Sequence, residues 1–92
     1  MTQGPSGTSI SIETIRTKIQ EIIADQLKIK PAEVILGADL QNDLGVASLD
    51  AMEIILSIEE AFTVDIPDEA ARQAKTAEDI AQFVYKKSSS HL

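Results

Sequence analysis

A chain of 92 residues is long enough for one small domain, near the lower size at which a single hydrophobic core folds unaided. It has no cysteine and one histidine, His91, in a serine-rich stretch; this excludes disulfides, thiolate chemistry and cysteine-ligated metals and leaves no basis for a histidine-based catalytic or zinc site. Fifteen acidic against 8 basic residues give a net charge of −7, a surface that repels nucleic acid and anionic membranes and attracts basic partners.

Hydrophobic residues make up 43% of the chain but aromatics only 3%, so the core is aliphatic and suits helices packed on helices. No apolar run approaches the roughly 20 residues needed to cross a bilayer, and the start of the chain lacks a signal-peptide pattern. The expectation is a cytoplasmic monomer without membrane insertion.

Residues 1–8 are rich in Gly, Ser and Thr and read as a flexible leader, ahead of a helical domain over 9–87 and a flexible tail over 88–92. Ser9 or Ser11 caps the first helix, with Glu13 in its first turn. Ile12, Ile15, Ile19, Ile22, Ile23 and Leu27 keep helical spacing, and Arg16, Lys18, Gln20 and Glu21 fill the other face. Pro31 forces the chain out of the helix at Lys30, and Pro31–Val34 suits one short turn.

From Ile35 to Val46 lies a long connection punctuated by Gly37 and Gly45, with Val34, Ile35, Leu40 and Leu44 spaced so as to pack it over the core. Loops of this length are uncommon in compact domains unless functional. A strand at Ile35-Leu36 has no second strand to pair with.

Asp43-Leu44-Gly45-Val46-Ala47-Ser48-Leu49-Asp50 then joins a glycine turn to a serine and the most helical pattern in the chain. Ser48 is an N-cap or first-turn residue, its hydroxyl in solvent beside backbone N–H groups that lack partners. Ala51, three residues on, rules out a capping box. Periodicity places Ile54, Ile58 and Phe62 inside, whereas Met52 and Leu56 fit either the core or an exposed face. Asp50, Glu53, Glu59 and Glu60 make the remaining surface of this helix acidic.

The second long helix ends near Phe62-Thr63, Ile66-Pro67-Asp68 turns, and a short helix follows from Asp68 to about Gln73. Thr76 caps the last helix, with Asp79 completing an acidic capping box; Ile80, Phe83 and Val84 face inward and Lys86 and Lys87 favour the C-terminal end. The predicted fold is all-α: a small four-helix bundle of three longer helices and one short one, with a long loop between the first and second helices.

From its neighbours alone, a serine ahead of an apolar run such as Ser48 is most often a helix cap and nothing more. No base is near it, and Gly45-Val46-Ala47-Ser48-Leu49 lacks the second glycine of a hydrolase elbow, so a serine hydrolase is rejected. Asp39–Gly45 offers oxygen ligands without calcium-loop spacing, and no metal site is expected.

Ile23-Ala24-Asp25-Gln26-Leu27, the Asp43-Leu44-Gly45 lead-in, Ser48-Leu49-Asp50, Glu59-Glu60-Ala61-Phe62 and Ile66-Pro67-Asp68-Glu69 together resemble the acyl carrier protein family, without gaps from roughly Ile12 to Lys87. The resemblance implies a non-catalytic carrier in fatty-acid, lipid or polyketide synthesis. By it, Ser48 carries a 4′-phosphopantetheine arm, placed there from coenzyme A by a phosphopantetheinyl transferase, and the arm holds acyl groups as thioesters. Asp50, Glu53, Glu59 and Glu60 would dock the basic patches of that transferase and of acyl-handling enzymes, with Leu49, Met52 and Leu56 as apolar contacts.

Ala47 departs from the family, which usually has aspartate there to help the transferase recognise its target. The departure bears on the efficiency of modification and leaves the nucleophile in place. The same bundle suits an aminoacyl or peptidyl carrier, which the acidic second helix disfavours. It also suits an unmodified interaction module for basic partners, which Ala47 keeps open. Ala74 and Ala77 stand where such carriers often have bulkier side chains; they widen the interior for cargo or are filled by neighbours, the second being favoured.

Overall fold

A computed structural model describes residues 11–89, and these form α1 (Ile12–Leu27), a 3-10 turn (Pro31–Glu33), α2 (Ser48–Phe62), α3 (Asp68–Gln73) and α4 (Ala77–Ser89). The fold is the expected all-α bundle of three longer helices and a short one. Ser11 is the cap of α1, its Oγ accepting the Thr14 N–H at 3.2 Å. Ile15, Ile19 and Ile23 lie four residues apart on one face and are fully buried, so α1 packs against both α2 and α4. Burying side chains of this size contributes about 1.5–3 kcal/mol each.

The capping box of α4 forms as read: Thr76 Oγ1 accepts the Asp79 N–H at 3.0 Å, and Asp79 Oδ2 accepts the N–H groups of Thr76 and Lys75 at 3.1 and 2.9 Å. Ile80 and Val84 are buried and Phe83 half-buried, while Ala77 and Ala81 are buried completely. Arg16 grips Glu78 with two bonds, Nε to Oε1 at 2.9 Å and Nη2 to Oε2 at 2.8 Å, which ties α1 to α4.

Two expectations need correction. The last helix continues through Ser89, past the boundary expected at Lys87; serine costs little within a helix, so Lys87 gives no stop. Residues 1–8, Ser9 and residues 90–92 lie outside the described residues. Ile35 does not pack inward but is 62% exposed, because it follows the extended, fully buried Val34 and alternation turns it to solvent. As expected, Ile35-Leu36 forms no strand; further along the connection Asp39 forms an isolated antiparallel bridge with Thr76, the Leu40 N–H donates to the Lys75 carbonyl at 2.9 Å, and the Glu78 N–H donates to the Leu36 carbonyl at 3.0 Å. Backbone bonds to the start of α4 thus hold the connection that leads to Ser48.

Candidate functional site: the start of the second helix and the cleft beside it

The approach to Ser48 is built by local hydrogen bonding. Asp39 Oδ1 accepts the N–H groups of Gln41 and Asn42 at 3.0 and 2.8 Å, and Asp43 Oδ2 accepts the Asp39 N–H at 2.8 Å, winding residues 39–44 into a turn. Gly45 leaves that turn with φ +71°, a left-handed conformation that strongly favours glycine. Val46 then anchors the chain twice, through its buried side chain and through its N–H on the Leu40 carbonyl at 2.8 Å.

The anchor delivers the next two residues to the surface. Ala47, with extended backbone, is the N-cap of α2 and offers no side-chain acceptor, and Ser48 is the first helical residue. The choice between cap and first turn is therefore settled as first turn. Ser48 is exposed, and no hydrogen bond among the described residues engages its hydroxyl.

The rest of α2 divides between two faces. Ile54 and Ile58 are buried, and Ile55 and Phe62 are half-buried. Leu49, Met52 and Leu56 are 67, 62 and 56% exposed, so the two residues that periodicity left open belong to the surface. Three of the four acidic candidates also have partners within the chain. Gln26 Nε2 on α1 donates to Asp50 Oδ1 at 3.2 Å and to Glu53 Oε1 at 2.6 Å. Glu59 Oε2 accepts the Ile66 N–H at 2.7 Å, and Glu60 is exposed.

Ser48 stands at a cleft of ≈ 950 Å³ bounded by α2, α3 and the two connections flanking them. Val46, Ile54, Ile66, Ala71, Ala74 and Ile80 give it apolar lining, while Arg72 and Lys75 bring cations that the sequence reading did not single out. Ala74 borders this cleft; Ala77 is wholly buried in packing and does not. No spacing rule links Gln26 or Arg72 to Ser48, since the neighbourhood arises only when α1, α2 and α3 pack. Among the described residues no group of three or more His, Cys, Asp and Glu side chains is placed to hold a metal ion.

An arm joined through a phosphodiester needs an exposed nucleophile, room alongside and donors for the negative phosphate. Ser48 supplies the first and the cleft the second. The first turn of α2, left without a side-chain cap, presents free N–H groups and the positive end of the helix dipole. The residues present fit the group.

Residues 17–84 match the family model described as the phosphopantetheine attachment site. An acyl carrier protein of Thermosynechococcus vestitus is 42% identical over 73 residues, covering 79% of this chain and 90% of the relative. One from Prochlorococcus marinus is 41% identical over 78 residues, covering 85% and 98%. The solved structure of the acyl carrier protein from Enterococcus faecalis superposes with a TM-score of 0.71 at 25% identity, covering 84% of this chain and 98% of that one. With the helical bundle and the exposed serine beside its cleft, these likenesses place the chain in the acyl carrier protein family, whose members are non-catalytic carriers of covalently attached 4′-phosphopantetheine.

Proposed function

We propose that Ser48 is the attachment residue and that the chain shuttles acyl groups, as thioesters on the thiol of its arm, between enzymes of fatty-acid, lipid or polyketide synthesis. The observation that carries this reading is an exposed, unengaged hydroxyl at the first residue of α2, on the rim of a cleft with apolar lining. In the attachment step Ser48 Oγ bonds to the phosphorus that bears pantetheine in coenzyme A. The bond from that phosphorus to the adenosine bisphosphate breaks, and the serine proton leaves. A separate transferase supplies the base; among the described residues no hydrogen bond joins Ser48 Oγ to one. The bound group supplies a long flexible reach and a nucleophilic thiol, and tethering raises the effective concentration of cargo at each partner.

Glu60 and the exposed Leu49, Met52 and Leu56, with Asp50, Glu53 and Glu59 around them, form an acidic face with apolar contacts that suits cationic patches on the transferase and on acyl-handling enzymes. Complementary charge of this kind favours fast encounter and modest affinity, as a shuttle requires. The carboxylates held by Gln26 and Ile66 keep further lone pairs for a partner's cations.

Intact mass before and after incubation with coenzyme A, magnesium and a broad-specificity phosphopantetheinyl transferase tests the assignment. The expected result is a gain of one phosphopantetheinyl group that Ser48→Ala abolishes. A gain that survives in Ser48→Ala would move the site elsewhere. No gain in the folded wild-type protein would favour an unmodified interaction module.

A further inference from the structure

We infer that Glu59 is a latch that holds the connection between α2 and α3 against the cleft, so that a cationic partner engaging this carboxylate loosens the cleft wall. The inference rests on the cargo reading above. It begins with how few hydrogen bonds, beside the packing of Val64 and Ile66, secure residues 63–67. Thr63 ends α2 at φ 53° and ψ 49°, a left-handed conformation that a β-branched side chain adopts only at a cost. The Glu59 carbonyl accepts the N–H groups of Thr63 and, at 3.2 Å, Val64. The Glu59 carboxylate then reaches past them to the Ile66 N–H at 2.7 Å. A single residue of α2 thus binds three amides of the connection, the last through a charge-assisted bond of the stronger class. No other side-chain hydrogen bond reaches residues 64–67 among the described residues.

What the latch holds is part of the cleft. Ile66 is 6% exposed and, with Asp65 and Pro67, lines the wall facing α2. Glu59 is at the same time half-buried on the helix that carries exposed Leu56 and Glu60, within the acidic face proposed for docking. A guanidinium that binds a carboxylate in the bidentate mode engages both oxygens, including the one that accepts the Ile66 N–H, and by drawing charge from that oxygen weakens the Ile66 bond. Docking and cleft opening therefore draw on one carboxylate, and Glu59 acts as a positioning residue in addition to a contact.

Two substitutions separate these roles, because Glu59→Gln keeps an oxygen acceptor without the charge and Glu59→Ala removes both. Amide hydrogen exchange at Ile66 in the protein without its arm reads the latch directly. We expect exchange about tenfold faster in Glu59→Ala than in wild type, with Glu59→Gln between them and the amides of Ile54 and Ile58 unchanged. Equal rates at Ile66 in wild type and Glu59→Ala, or an equal rise at Ile54 and Ile58, would overturn the latch. Penta-arginine at low ionic strength should speed Ile66 exchange in wild type and leave Glu59→Ala unaffected; no response in wild type would overturn the coupling.

The octanoyl-loaded protein should lose its thioester to hydroxylamine several-fold faster in Glu59→Ala, and equal rates would overturn the opening of the cleft. Loading is checked first by intact mass. Failure to load at Ser48 counts against the carrier reading, whereas Ile66 exchange still decides the latch.

Discussion

Restoring an acidic residue ahead of the serine, Ala47→Asp, tests two separate links between sequence and function. Ala47 is the N-cap of α2 with φ −79° and ψ 164°, the extended geometry in which a short polar side chain accepts an N–H from the second or third helical residue. Those donors belong to Leu49 and Asp50, and alanine leaves them without a side-chain acceptor. Ala47 is exposed, so the larger side chain displaces nothing from the core. Replacing alanine by a good cap typically stabilises by about 1 kcal/mol, within a range of roughly 0.5–2. The new charge gains from the helix dipole by about 0.3–1 kcal/mol. Repulsion from Asp50 in the same first turn, on a chain already at −7, offsets most of that gain.

The expected net is therefore about 1 kcal/mol, which for a domain of this size raises Tm by roughly 4–8 °C. Thermal and urea unfolding followed by circular dichroism measure it, and Ala47→Asn supplies the cap without the charge. Both variants should gain similar stability, with an unchanged urea slope. An unchanged or lowered Tm in both would refute the view that α2 starts uncapped. The rate of transferase modification is the second readout: Ala47→Asp should be modified faster than wild type. If all three proteins are modified at one rate, the residue before Ser48 has no part in recognition.

Gln26→Ala should lower stability by about 1 kcal/mol, because one amide serves both Asp50 and Glu53; a lower urea midpoint at constant slope would show it. Arg16, with support from Gln82, holds the Glu78 carboxyl below the ordinary glutamate range. A depressed carboxylate stabilises the fold above its unfolded-state pKa, and that contribution is lost as pH falls through the folded-state value. Glu78→Gln should accordingly lower Tm at neutral pH, with the gap to wild type closing in strongly acid solution; a gap constant with pH would count against the pairing. Lys28 ends α1 in the left-handed region at φ 62°, with the Ile29 N–H on the Ala24 carbonyl at 3.0 Å. Relief of about 1–2 kcal/mol of backbone cost, less about 0.4–1 for the freer unfolded chain, makes Lys28→Gly stabilising by roughly 0.5–1 kcal/mol in chemical denaturation.

Features set within a few residues were readable from the chain alone. The buried stripe of Ile15, Ile19 and Ile23 follows from four-residue spacing, and the Thr76–Asp79 box from a three-residue offset. The short helix over Asp68–Gln73 likewise follows from Pro67 and the acidic start behind it. The rotation of α2 was only half readable. Its apolar residues span more than one face, so periodicity could place Ile54 and Ile58 but not decide Met52 and Leu56; the packing of α1 decides them. Ile35 was misread because its inward or outward direction depends on whether Val34 or Ile35 takes the core side of an extended segment.

The same divide runs through the site itself. That Ser48 begins a helix is a local fact, written in Gly45 and the helical run behind it. That its hydroxyl faces solvent on the rim of a cleft is not local. It depends on Val46 buried below, on Leu40 and Leu36 bonded to the start of α4, and on Glu59 drawing Ile66 into the opposite wall. All of these but the burial of Val46 are backbone amides meeting a carbonyl or carboxylate. Backbone amides and carbonyls are common to nearly all residues, so such ties leave little trace in side-chain pattern. The proposed attachment residue is thus the part of the site that sequence can suggest, and the surroundings that would receive a cargo are the part that only the packed chain creates.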